Sequence, residues 1–524
     1  DQSGGNTAAA PRASLGIIGL ELHTRLSSMT RKQASRSEPA PSASPRRRPA
    51  RAPVAPVAPA HKSGAGSSSD TGFAFARGQF EQWVEDTLTL AKALGASDAG
   101  VEVSEGVGLS VSVRKGEVEN IERNRDKSLG VTVYLGQRRG NASTSDFSRQ
   151  ALEQTVRAAF DIARFTAEDP VAGLPDADDL ARGEAVTRDL DLFHPWAVSA
   201  EEAIALSLRA ERAALALDPR ITNSDGAGVS AQQSHFFMGN SRGFRGGYAS
   251  SRHSMSVSPI ASIPGADGDD MQRDSWYTSQ RYAGDMAAPE AVGRYAAERA
   301  LSRLNARKIK TREVPVLFES TLAAGLLGAY VQATSGGALY RKSSFLLDSL
   351  GKSVMPGHID IQQRPHIARG KASAPFDDEG VFTRDRDVLM GGVVQGYFLS
   401  SYSARKLGLR TTGNAGGSQN LRLSSRQTQP EDDLDAMLRK LHKGLFVTEL
   451  MGQGVNYVTG DYSRGAAGYW VENGRIAYPV HEITIASNVR DMFTGMVAVG
   501  ADEYTSGGKT IGSVLIDRMK VAGN

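Results

Sequence analysis

Leu317-Phe318-Glu319-Ser320-Thr321-Leu322-Ala323-Ala324-Gly325-Leu326-Leu327-Gly328-Ala329-Tyr330-Val331-Gln332-Ala333-Thr334-Ser335-Gly336-Gly337-Ala338-Leu339-Tyr340-Arg341-Lys342-Ser343-Ser344-Phe345-Leu346 is the stretch around which the chain is organised. Val314 to Phe318 reads as a strand, and Thr321 to Gln332 as an apolar helix stopped at a glycine-rich turn. Downstream follow Pro375-Phe376-Asp377-Asp378-Glu379-Gly380, a hairpin pattern over Leu389 to Leu399, Ser401 to Leu409, and Thr411-Thr412-Gly413-Asn414-Ala415-Gly416-Gly417.

Upstream, Gln79 to Leu94 places Phe80, Trp83, Val84, Leu88 and Ala91 at helical spacing. Ala99 to Val113 and Ser128 to Leu135 alternate as strands, and Lys115-Gly116-Glu117 supplies a turn between them. Ser148 to Thr166 returns to helix, which makes residues 73–170 a compact α+β unit. A helix capped by Ser199 covers 198–217, strands follow at Gly247-Tyr248-Ala249 and Met255 to Ser258, and Pro289 opens a helix to Asn305. Toward the C-terminus, Pro430 to Lys443 reads as a helix with Glu431, Asp432 and Asp433 at its positive end. Asn473-Gly474 between two apolar runs marks a hairpin. The fold class is therefore α+β: an N-terminal α+β domain over 73–305 and a larger, mainly antiparallel β domain with a few helices over 306–524.

The chain has 524 residues, 40% hydrophobic and 23% charged, as expected of a globular protein. No apolar run approaches the roughly 20 residues that span a bilayer. No cysteine is present, so disulfides and thiolate metal sites are excluded. The formal charge of +3 divides unevenly: residues 1–72 hold ten Lys+Arg and four Asp+Glu, a surplus of +6, and the rest carries −3. A slightly acidic body argues against a nucleic-acid surface. Residues 1–72 also hold eight of the 21 prolines, and too little apolar surface to offset chain entropy. They read as a disordered, solvated leader, within which Met29 is an alternative start.

Four motifs fall short of the chemistry they suggest. Gly239-Asn240-Ser241-Arg242-Gly243 matches a nucleophile-elbow pattern, but the glycines that follow cannot begin a helix, and the segment reads as a turn. Gly507-Gly508-Lys509-Thr510 ends like a P-loop, yet Glu503 stands at its first glycine. Asp267 and Asp269 resemble the start of a calcium loop, whose later ligands are missing. His481-Glu482 has no second histidine at zincin spacing, and the alternation of Ile483 and Ile485 says strand.

The words from Leu317 to Gly417, in their order and spacing, resemble the TldD/PmbA family and specifically its TldE (PmbA) branch. The resemblance extends over roughly residues 75–520. It implies a cytoplasmic two-chain protease that degrades or trims unfolded peptides, with zinc on an H-E-x-x-x-H helix of the TldD-type chain and none in the TldE-type chain. Aligned on Arg341-Lys342, the first His, the Glu and the second His fall at Gly328, Ala329 and Ala333, which offer neither ligand nor base. This chain is thus expected to be a non-catalytic subunit with no metal or catalytic residue of its own, partnered by a TldD-type subunit or forming a homodimer when alone. Tyr340, Arg341, Lys342, Ser343, Arg384 and Asp385 are the candidates for facing partner or peptide, and strand addition is the expected mode of holding an extended peptide. Two other readings stay open: an autonomous hydrolase using Ser241 or a dispersed metal site, and an interaction protein that binds nucleic acid through its basic tail.

Overall fold

The computed structural model describes residues 72–265 and 270–523. Residues 1–71 of the leader, with Met29, and the Asp267/Asp269 positions lie outside these residues. The first part runs α1 (Arg77–Ala93), β1 (Asp98–Arg114), β2 (Glu117–Leu135), β3 (Arg138–Thr144), α2 (Arg149–Phe165), α3 (Glu184–Thr187), α4 (Ala200–Leu215), β4 (Ile221–Asn240), β5 (Arg245–Gly246), β6 (Ala249–Ile263), β7 (Asp270–Arg273), β8 (Trp276–Gln280) and α5 (Pro289–Ser302). The unit expected over 73–170 does not close on itself. β1 hydrogen-bonds β2 on one side and β4 on the other, so the sheet continues through β4 and β6 to eight antiparallel strands. β6 starts at Ala249 and runs through the strand expected at 255–258, while Gly247 and Tyr248 of the other expected strand lie before it.

Alternation in β1 and β4 gives this sheet two unlike faces. Val101, Val103, Leu129, Val131 and Phe237 pack under α1 and α2 with Phe80, Val84, Leu152 and Val156. Val111, Val229, Met255 and Val257 pack under α4 and α5 with Ala210, Val292 and Ala296. α4 and α5 touch backbone to backbone at Gly293, where a Cβ would stand 2.1 Å from the Ala210 carbonyl oxygen. Ser148 and Ser199 cap α2 and α4 by accepting from the Ala151 and Glu202 amides.

The second part runs β9 (Arg312–Phe318), α6 (Ser320–Ala333), α7 (Gly336–Tyr340), β10 (Ile359–Gln363), β11 (Arg386–Met390), β12 (Val393–Val394), α8 (Ser401–Lys406), β13 (Leu421–Ser425), α9 (Leu434–Leu441), β14 (Gly444–Met451), β15 (Asp461–Glu472), β16 (Arg475–Asn488), α10 (Val489–Thr494), β17 (Met496–Val499), β18 (Tyr504–Ser506), β19 (Lys509–Ile511) and β20 (Val514–Ala522). Its strands form two six-stranded sheets, mainly antiparallel, with parallel pairs at β9–β14 and β13–β19. α6 is buried among Val316, Phe318, Phe345, Ile361, Leu389 and Phe493. The Asn473-Gly474 turn joins β15 to β16 with both residues at positive φ, 51° and 70°. α9 is shorter than the helix expected from Pro430. Asp433 is its cap, accepting from the Ala436 amide, while Asp432 turns back to accept from the Gln429 amide and so holds the preceding residues out of the helix.

An ion network joins the first sheet's helices to α6. Arg299 on α5 reaches Asp274 at 3.1 Å and Glu319, the residue before α6, at 2.7 Å; Arg303 also binds Asp274, at 2.9 Å, and Glu449. Burial disfavours the Arg299 charge, but Glu319 and Asp274 outweigh it and raise its pKa. Breaking such a buried pair costs more than the pair itself contributes.

Glu105 ties the described N-terminus to β1. It accepts from the Ala74 and Phe75 amides and pairs with Arg125 at 2.6 Å and with His235 at 3.2 Å, and His235 is sandwiched between Phe73 and Phe80. Burial raises the Glu105 pKa, but the Ala74 amide, His235, the Phe75 amide and Arg125 together hold it below its ordinary 4.5. Burial lowers His235 below 6.5 against the pull of Glu105. Both groups bind fewer protons folded than unfolded, so both contribute stability at neutral pH that is lost on acidification: His235 below 6.5, Glu105 below 4.5 and down through its folded value. Glu105→Gln is expected to cost about 2 kcal/mol at pH 7, with the deficit narrowing toward pH 3. Thermal midpoints across that range check this; a deficit independent of pH contradicts it.

Candidate functional site

The sheet face opposite the helices is polar. Ser110, Ser230 and Gln232 bond one another across β1 and β4, with Ser110 Oγ to Ser230 Oγ at 3.1 Å and Gln232 Nε2 donating to both. Ser234 and Ser250 meet at 3.5 Å across β4 and β6, and Ser234 is exposed. Hydroxyl and amide groups here stand where the other face carries valines.

One end of this face is acidic. Phe376 packs against Phe244, Tyr248 and Phe236 and so brings the Pro375–Gly380 turn to the sheet. Buried Asp377 organises that turn: it accepts from the Glu379 and Val381 amides and, across to the glycine-rich run, from the Ala415 amide, each at 2.9 Å. Burial and then the Glu379 charge push Asp377 up to about 8 against these three donors. Glu379 accepts from the Ser401 amide at the start of α8. Asp378 lies over Gly416, where a Cβ would stand 2.2 Å from its Oδ2. Its near neighbour is Glu102 of β1. Burial, then Glu379, pushes Asp378 up to about 6; burial, then Asp378, raises Glu102; burial, then Asp378, pushes Tyr248 up to about 12. Glu102 and Asp378 keep solvent contact while surrounded by protein, as groups on a concave wall do. No donor or cation among the described residues binds either carboxylate.

The other end is basic. Arg281, 8% exposed, donates Nε to Gly370 O at 3.0 Å, Nη1 to Ser251 O at 3.3 Å and Nη2 to Lys371 O at 3.1 Å. Arg252 Nη2 donates to the same Lys371 carbonyl at 2.7 Å, and Lys371 Nζ reaches Thr505 O at 3.5 Å. Burial lowers all three pKa values, Arg281 to about 10, and the Arg252 charge further lowers those of Arg281 and Lys371. None of the three has a carboxylate within 4.0 Å among the described residues.

α6 carries Gly328, Ala329 and Ala333, with the two alanines buried in the core. Lys509 of β19 passes nearby: a Cβ on Gly328 would stand 3.8 Å from its Cε. The side chains at these three positions present no lone pair, and no group of three or more His, Asp or Glu among the described residues is arranged to hold a metal ion. The residues present do not fit a metal here.

The segments singled out from sequence lie in two settings. Tyr340 ends α7 and stacks edge-on against Tyr402; Arg341 folds back over the Tyr340 ring and donates to its hydroxyl at 2.9 Å; Lys342 adopts φ 55°; Ser343 Oγ donates to the Ala338 carbonyl. Arg384 and Asp385 instead line a cavity of about 540 Å³ with Arg188, Arg364, His366, Ile367 and Thr383. Ser241 donates to Asp98 at 2.6 Å in the turn between β4 and β5, where Asn240 Oδ1 accepts from the Arg242 and Phe244 amides, and no helix follows it. Gly507-Gly508 turns β18 into β19, with Glu503 held by Arg422, and His481-Glu482 lies on β16. Sequence reasoning missed Glu102, Arg252, Arg281 and Lys371. Glu102 and Arg252 carried one signal, charge at polar positions of alternating strands; Arg281 and Lys371 lie outside the strands and carried none.

The chain matches the PmbA/TldA metallopeptidase C-terminal domain over residues 311–523, the central domain over 193–304 and domain 1 over 99–163. It is 51% identical over 444 residues to Metalloprotease PmbA of Escherichia coli O157:H7, covering 84% of this chain and 96% of that one. A crystal structure of a putative modulator of DNA gyrase from Bacteroides thetaiotaomicron superposes with a TM-score of 0.78 at 25% identity, over 85% of this chain and 99% of the other. TldE from Thermococcus kodakarensis shares the fold at a TM-score of 0.72 and 17% identity, over 84% and 100%. Fold and sequence together are those of the metallopeptidase class. The chain belongs to the PmbA/TldD family, in its PmbA (TldE) branch.

Folded pKa values of Glu102 and Asp378 above their ordinary ones mean that the folded chain holds protons the unfolded chain releases, so this pair costs stability as pH rises from about 4 through the folded values. Glu102→Gln removes one of the two like charges. It is expected to raise the thermal midpoint at pH 8 and leave it unchanged at pH 4; an equal effect at both contradicts the pairing.

Proposed function

We propose that this chain is the non-catalytic subunit of a two-chain metalloprotease, working in the cytoplasm beside a TldD-type subunit and contributing scaffold and peptide-binding surface. The observation that carries the reading is α6: the family's fold is kept, while Gly328, Ala329 and Ala333 supply no group that binds an ion or accepts a proton from water. The polar sheet face supports the second half of the reading, because hydroxyls, amides and paired charges match a peptide backbone and its termini better than an apolar ligand. Surface contacts to the partner are assigned to the Tyr340–Ser343 turn and to the Arg384–Asp385 cavity, both of which put charge at the surface of the same domain as α6.

Metal analysis and a peptidase assay test this together. The purified chain is expected to hold no stoichiometric zinc and to cleave no unfolded peptide, and addition of a TldD-type chain is expected to produce cleavage. Zinc-dependent cleavage by the chain alone would overturn the proposal.

A further inference from the structure

The two charged ends of the polar face lie a definite distance apart. Arg252 of β6 is opposite Gln232 of β4, which is opposite Gly108 of β1, and Glu102 lies on the same strand and face as Gly108. Six residues of strand separate the acidic level from the basic one, about 20 Å at roughly 3.4 Å per residue. An extended peptide of about six residues spans the same length.

The basic end lacks the partner its chemistry calls for. A buried guanidinium bonded only to carbonyls carries an uncompensated charge, an expensive arrangement unless an anion completes it. Arg281 is in that state, fixed by three carbonyls, and Arg252 and Lys371 add two more cations around one loop. A planar carboxylate suits arginine donors and neutralises the cluster. At the acidic end, Glu102 and Asp378 are two unpartnered carboxylates that an ammonium group would satisfy. Between the ends stand Ser234 and Ser250, short polar groups that can bond a peptide backbone without selecting its side chains, with Phe236 on the acidic side of them and Gln232 level with Arg252.

We propose that this face seats a short extended peptide in a fixed direction, its terminal carboxylate held by Arg252, Arg281 and Lys371 and its amino end toward Glu102 and Asp378. This deepens the peptide-binding part of the function proposed above and rests on it. The ligand class is a free-ended peptide, held by side chains on the sheet face rather than by pairing with a strand edge.

The test is binding of a fluorescent hexapeptide to the full chain in complex with its TldD-type partner, with the free acid, the C-terminal amide, and an amide whose last residue is Glu. Arg252→Gln and Lys371→Gln are the variants, since Arg281 also anchors the loop, and Arg149→Gln on exposed α2 is the control. Amidation, Arg252→Gln and Lys371→Gln are each expected to weaken binding ten- to hundredfold, the range of a lost charge-assisted bond. The amide is expected to be insensitive to Arg252→Gln, Arg149→Gln to bind as wild type, and all variants to keep their thermal midpoints. Equal affinity for acid and amide, or an Arg252→Gln loss the same for both, overturns the direction while leaving peptide binding intact. Recovery by the Glu-ended amide overturns the assignment to a chain terminus. Absence of peptide binding to the complex overturns both the inference and the reading beneath it.

Discussion

The two-sidedness of one antiparallel sheet is the constraint on which the rest of the molecule depends. β1, β4 and β6 place valines and alanines toward four helices and mainly serines, glutamines and charges toward the opposite side, where Phe236 and Met238 pack with Phe376 at the acidic end, and the period of two fixes each residue's side once the register is set. Burial on the helical side stabilises the sheet; the polar side is then free to present chemistry. Slipping β4 by one residue against β1 would send Val229 and Ala231 to the polar face and Gln232 into the core. The register is held at one end by the Ser241–Asp98 and Arg242–Asp98 bonds and at the other by Arg114 on the Ser224 carbonyl.

The second part of the chain brings groups to that face at both ends. The Pro375–Gly380 turn, fixed by Asp377, delivers Asp378 beside Glu102, and residues 370–371 deliver Lys371 beside Arg252 and Arg281. The Arg299–Glu319 pair keeps the start of α6 against α5. α6 itself is packing: its alanines fill core volume. Small apolar side chains suit such a buried helix.

Most elements were legible from periodicity and capping. Ser148, Ser199, the Asn473-Gly474 turn and α6 all stand where local physics puts them. β4 was not legible, although it is the longest strand of the first sheet. Its residues Ser224 to Gln233 are small or polar on both faces, because the covered side needs only Ala227, Val229 and Ala231 beneath close-packed helices. The first half of β2, Glu117 to Asp126, is charged and largely exposed, and it is strand only because β1 pairs with it. The charged ends of the polar face escaped for a different reason. Glu102 meets Asp378, and Arg252 meets Lys371, across more than a hundred residues of chain and only through tertiary packing, which no local pattern encodes. The Pro375–Gly380 and Thr411–Gly417 segments entered the sequence reading only through the family resemblance, not as a site.

A photo-crosslinking amino acid placed at Ser234, midway along the polar face, tests the central claim most directly. In the assembly with a TldD-type chain, a cleavable peptide is expected to crosslink at position 234, in competition with unlabelled peptide, and not when the probe stands at Arg157 on α2 over the opposite face. Efficient cleavage of that peptide with no crosslink at 234 would contradict the account.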